Sequence, residues 1–88
     1  MFKHILYFIC IADREIAEEW IMANFEIQDS DTDDACYDSS TGMHLCQFIF
    51  YVSPNLTERQ QQIIAETLKP HTYLINELWE GSVAVASG

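Results

Sequence analysis

Residues 44–52 read His44-Leu45-Cys46-Gln47-Phe48-Ile49-Phe50-Tyr51-Val52. A run this rich in aromatic and β-branched side chains is a strand, and alternation sorts it into two faces. His44, Cys46, Phe48, Phe50 and Val52 share one face; Leu45, Gln47, Ile49 and Tyr51 share the other. An antiparallel sheet with one wet face shows a polar side. Neither set is polar. Residues 2–11 repeat the feature, with Phe2, His4, Leu6, Phe8 and Cys10 against Lys3, Ile5, Tyr7, Ile9 and Ile11. Helices packed on one side of a sheet cover only one such face, so the second is expected to meet another molecule. Tyr and Gln tolerate an interface. Ile5, Tyr7, Ile9, Gln47, Ile49 and Tyr51 are therefore predicted to form a homodimer face. The alternative is a C-terminal segment folded over it.

The elements around these strands follow from periodicity and punctuation. Ser40-Thr41-Gly42 suits a three-residue hairpin loop between strands at 35–39 and 44–52, with Gly42 in the left-handed position. Asp13 is placed to cap a helix whose buried stripe is Ile16, Ala17, Trp20, Ile21 and Phe25. Residues 28–34 read as an acidic loop. After Ser53-Pro54, Thr57 and Gln60 make a capping box for a second helix with Ile63, Ile64 and Leu68 as its stripe. Pro70 ends it. Residues 71–79 fit both strand alternation and helical spacing. Pro70 before and Gly81 after favour a short third helix, with Ser82–Ser87 as the closing strand. The order β-α-β-β-α-(α)-β predicts a single ferredoxin-like α+β domain over 1–88, a four-stranded antiparallel sheet with helices on one face.

Charge narrows the functions. The chain carries 14 acids against 4 bases, a formal −10. Nearly all of it lies between Asp13 and Asp38, where ten acids meet one base, Arg14. A balance this acidic argues against a nucleic-acid binder and against docking on anionic lipid. Glu15, Glu18, Glu19, Glu26, Asp29, Asp31, Asp33 and Asp34 are candidates for meeting a basic protein surface; otherwise they are a solvated face that keeps an apolar domain soluble. Three cysteines with no regular spacing do not make a secreted disulfide framework, which points to the cytoplasm. The apolar run Ile5–Ala12 is short for a signal peptide and too short to span a bilayer.

Pairing of two such sheets is the arrangement of the dimeric α+β barrel superfamily, and the sequence resembles a small bacterial family within it. The opening strand followed by Ile16-Ala17-Glu18-Glu19-Trp20-Ile21-Met22 is similar to that family's start. Gln47-Phe48-Ile49-Phe50-Tyr51 resembles its third strand. Leu68-Lys69-Pro70-His71, Leu78-Trp79-Glu80-Gly81 and Ser82-Val83-Ala84-Val85-Ala86 resemble its closing region, while residues 24–38 depart from it. The resemblance touches about half of the chain. It implies the fold and dimerisation and transfers no catalytic residue.

Chemistry has few candidates. With Ser40–Gly42 as the loop, Asp38 faces His44 and Cys36 faces Cys46. Cys36, Asp38, His44 and Cys46 would then share one face, where two thiolates, an imidazole and a carboxylate suit tetrahedral zinc. The competing reading is two core cysteines beside a surface Asp–His pair. Asp29-Ser30-Asp31-Thr32-Asp33 imitates the start of an EF-hand, but Asp34 and Ser40 stand where the loop needs Gly and Glu. His4, between apolar neighbours on its face, reads as a satisfied histidine at the core's edge. The reading that results is a small acidic homodimeric binding or regulatory protein with no cofactor. Its alternatives are an acidic DNA-mimicking inhibitor of a nucleic-acid-binding complex, of the anti-CRISPR or anti-restriction kind, and a cofactor-independent small-molecule enzyme of the barrel type.

Overall fold

The computed structural model describes residues 1–76. They form β1 (Phe2–Phe8), α1 (Ile11–Asn24), β2 (Asp29–Asp38), β3 (Met43–Val52), α2 (Glu58–Leu68) and β4 (Thr72–Asn76). The strands make one antiparallel sheet in the order β2-β3-β1-β4. This is the ferredoxin-like α+β architecture. Both helices pack on the same face, and Leu6, Phe8, Ala17, Ile21, Phe48, Phe50, Val52 and Ile64 form the core between them. No helix among the described residues is long and apolar enough to cross a membrane.

Several local readings hold. Thr57 caps α2 with both halves of the box: its hydroxyl accepts from the Gln60 N–H at 3.1 Å, and the Gln60 amide oxygen accepts from the Thr57 N–H at 2.9 Å. Lys69 closes that helix with a left-handed φ of 47° just before Pro70, a position where the proline ring disfavours continued helix. Gly42 takes φ 74° in the hairpin turn.

Other readings change. Residues 72–76 are a strand, not part of a third helix. The His71 N–H reaches the Tyr7 carbonyl at 2.7 Å, and β4 then satisfies the free edge of β1, pairing Leu6 with Tyr73 and His4 with Ile75. Edge hydrogen bonds outweigh an apolar spacing that suited either state. The predicted closing strand at Ser82–Ser87 lies outside the described residues, as does the end of the predicted third helix. The expected loop at 28–34 is instead the first half of β2, so the acids sit on an edge strand. Charged side chains on an edge oppose pairing with stray chains.

Helix α1 begins at Ile11 with Cys10 as its N-cap residue, which places Asp13 inside the first turn. There its charge complements the helix dipole without capping a backbone amide. This phase buries Arg14, Ala17 and Ile21 on one side, and Ile16 is left 61% exposed. Residues 14 and 16 are about 200° apart on a helix, so burial of Arg14 dictates exposure of Ile16. Ile63 of α2 likewise lies at the rim, while Ile64 is fully buried.

Candidate functional site

The register turns the face of the sheet away from the helices into a lattice. One row crosses from Thr72 through Tyr7 and Gln47 to Asp33; the next from Leu74 through Ile5 and Ile49 to Asp31; the third from Asn76 through Lys3 and Tyr51 to Asp29. Every row therefore starts neutral on β4 and ends in an aspartate on β2. The middle row is apolar until its last member. The Gln47 amide donates to the Tyr7 hydroxyl at 3.0 Å, which binds β3 to β1 on this face. Leu45 and Tyr51 are buried, while Ile5, Tyr7, Gln47 and Ile49 are half-buried and Leu74 is exposed. Burial, with Asp31 and Asp29 alongside, pushes the Tyr51 hydroxyl above its ordinary pKa. At the hairpin end of the face a hollow of about 280 Å³ is lined by Tyr7, Cys36, Tyr37, Asp38, Leu45, Thr72 and Leu74.

Of the six residues predicted for a self-association face, Ile5, Tyr7, Gln47, Ile49 and Tyr51 are together in this lattice. Ile9 is not. β1 ends at Phe8, and Ile9 is 58% exposed in the connection to α1. Leu45 and Leu74 complete the face. Leu74 was hidden by the helical reading of its segment.

The acidic residues separate into two groups. Asp29, Asp31 and Asp33 stand on the open face at two-residue intervals, about 6.8 Å apart along the strand. Glu15, Glu18 and Glu19 line a depression along α1, on the other side of the sheet, with Arg14 and Met22. Glu26 is exposed beyond the end of α1. Asp34 joins the α1 group through Arg14. The guanidinium holds both Asp34 carboxylate oxygens, Nε to Oδ1 at 2.8 Å and Nη2 to Oδ2 at 2.6 Å, and its Nη1 holds Glu18 at 2.7 Å. The Asp34 hydrogen bond is the main cause that raises the Arg14 pKa. Asp34 lies in the register shift between Asp33 and Cys36. A bulge re-aims a side chain; here it turns Asp34 toward α1 while Asp33 and Cys36 keep the open face. The one base in the acidic segment is thus the clamp that fastens the edge strand to the helix. Its isolation among acids was the sequence signal for it.

The proposed zinc constellation is taken apart by the hairpin. Asp38, not Ser39, pairs with Met43; Tyr37 pairs with His44; Cys36 pairs with Leu45. The Asp38 carboxylate is the physical cause. It accepts from the Ser40 N–H at 3.0 Å, the Ser40 hydroxyl at 2.7 Å and the Thr41 hydroxyl at 2.9 Å. These bonds hold its pKa below the usual carboxylate value and build a four-residue turn in place of three. A one-residue shift moves a side chain to the opposite face. Cys36 and Asp38 consequently stand on the open face, and His44 and Cys46 on the helix side. No cluster of three or more metal-ligating side chains occurs among the described residues.

His4 is fully buried on the helix side of the sheet. Its Nδ1 lies 2.8 Å from the Tyr73 hydroxyl and its Nε2 lies 2.8 Å from Asn55 Oδ1. That amide oxygen also accepts from the Leu56 N–H at 2.9 Å. Since a backbone N–H only donates, the Asn55 atom is an acceptor, and the His4 proton sits on Nε2. Nδ1 then accepts from Tyr73. The ring stacks on Phe50 with centroids 5.0 Å apart. Burial lowers the His4 pKa and raises that of Tyr73 well above the phenol range. The histidine is satisfied, as its apolar neighbours in sequence suggested; its partners, 51 and 69 residues away, were not legible.

In comparisons with known protein families and with curated proteins, nothing matches this chain.

Proposed function

We propose that the protein is a homodimeric binding or regulatory protein of the dimeric α+β barrel type, two copies meeting through their open sheet faces. The observation that carries this reading is the lattice itself. Its centre is the apolar row Leu74, Ile5 and Ile49, flanked by Tyr7, Gln47 and Tyr51, and its aspartates are confined to one margin. An apolar centre with charge at the rim is the anatomy of a protein–protein interface. A second copy is the occupant favoured by the charge balance. It supplies a matching neutral centre and leaves both aspartate rows in water, where −10 per chain is tolerable only if the acids stay solvated. The helix side offers less to an enzyme reading: between helices and sheet lies a packed apolar core, and both nitrogens of the buried His4 bond to neutral groups.

A second reading rests on the ladder Asp29, Asp31, Asp33. Three carboxylates at regular spacing on one strand face form a linear negative edge suited to a basic groove, as an acidic inhibitor of a nucleic-acid-binding complex requires. Analytical ultracentrifugation across a hundredfold concentration range tests the first reading. A dimer that Ile49→Lys converts to monomer supports it; a monomer at every concentration overturns it and leaves the acidic edge as the working surface.

A further inference from the structure

Two connections depend on one imidazole. His4, in the middle of β1, receives the Tyr73 hydroxyl from edge strand β4 and gives its proton to Asn55, in the segment that leads into α2. Asn55 in turn orders the first residues of that segment through the Leu56 N–H. β4 is five residues long and has one strand neighbour among the described residues, β1. Its side chains at 72, 74, 75 and 76 are exposed, so Tyr73 is its inward anchor. We infer that His4 is a proton-sensitive latch, which in its neutral form holds β4 and the entry to α2 against the sheet and on protonation releases them.

The chemistry is that of a donor and acceptor arrangement filled to capacity by the neutral ring. A second proton on Nδ1 removes the acceptor that Tyr73 uses, so the phenol must turn its own proton elsewhere. Among the described residues the new charge meets no counter-ion: around the ring stand Phe50 from β3, Tyr73 from β4 and Asn55 from the connection, all neutral. Lys3 projects from the opposite face of β1, and Glu58 of α2 lies exposed along the groove it shares with Tyr73. Stacking on Phe50 favours a cation, but by less than burial of an unpaired charge costs. The direction of the His4 pKa agrees, lowered chiefly by burial.

The sign follows. A histidine whose folded pKa lies below its ordinary value, about 6.5, contributes stability that is complete above that value and is lost as pH falls below it. Each pH unit in that window raises the equilibrium constant for any opening that exposes the ring by up to about tenfold. The inference concerns one chain and stands whether or not two chains associate.

The test is hydrogen exchange followed by NMR on the wild-type protein from pH 7.5 to 5.5, corrected for intrinsic exchange, with ¹⁵N spectra of the imidazoles. The expected result is a His4 ring that carries its proton on Nε2 when neutral and titrates below the ordinary value of about 6.5, and opening of the 72–76 and 55–57 amides that rises up to about tenfold per pH unit below 6.5. Amides paired between β2 and β3 should not follow. In His4→Gln the rise should vanish. Should that variant fail to fold, the wild-type ring titration and the contrast between strands decide. A ring that titrates at or above the ordinary value overturns the latch, as does a rise shared equally by all four strands or absent from β4.

Discussion

The two faces of this one sheet are nearly equal in apolar composition and opposite in fate. On the helix side Leu6, Phe48 and Phe50 have no exposure at all, and even a histidine is sealed in with two partners. On the other side Ile5 and Ile49, each one residue away from such neighbours, remain half-buried and end in a row of aspartates. Hydrophobicity in a strand thus marks both faces alike, and what separates them among the described residues is that the two helices cover one face and leave the other open.

That contrast is open to direct attack. Phe48→Ala removes a wholly buried ring and should cost about 3–5 kcal/mol in chemical denaturation, enough to unfold much of a marginal domain. Ile49→Lys, its neighbour on the open face, should leave the folded monomer close to wild type, because the new ammonium stands opposite Asp31. Its effect belongs to association, where a buried charge at the centre of the face should weaken self-binding at least thirtyfold by sedimentation, about 2 kcal/mol. Equal losses of monomer stability in the two variants would erase the distinction between the faces.

The clamp at the margin between the faces comes next. Arg14→Ala breaks a bidentate pair in which the arginine side chain is only 10% exposed, and should cost about 1–3 kcal/mol. Arg14→Lys should recover only part, since an ammonium lacks the fork that grips both Asp34 oxygens. Faster exchange of β2 amides would locate the damage at the edge strand. Smallest is Asp31→Asn, expected to move monomer stability by less than about 0.5 kcal/mol. A rise in dimer affinity at low salt that fades at high salt would place Asp31 at the rim of the interface.

Much of the fold was legible because it is written in short-range terms. The Thr57–Gln60 box, the left-handed Gly42 and the alternation in β1 and β3 each depend on residues within a few positions. The candidate site was legible in part for the same reason: alternation alone placed Ile5, Tyr7, Gln47, Ile49 and Tyr51 on one face. The failures share a different cause. Ile9 was lost because β1 stops at Phe8 so that α1 can start at Ile11. Cys36, Asp38, His44 and Cys46 were misassembled because a turn one residue longer than expected inverts the strand, and the Asp38 carboxylate that stabilises it looks in sequence like any surface acid. Residues 72–76 were misread because their spacing suits a helix until β1 offers an unpaired edge.

An α+β domain, the two apolar faces of its central strands and the concentration of negative charge between Asp13 and Asp38 follow from the order of residues alone. Those properties are sums or periodicities along the chain, and no partner is needed to read them. Tertiary structure alone decided that the acids divide between an open-face ladder and a helix flank, that Arg14 is buried to clamp Asp34, and that His4 joins Tyr73 to Asn55. Each of these depends on which backbone groups pair across the sheet, and a shift of one residue in that pairing moves every side chain to the other side.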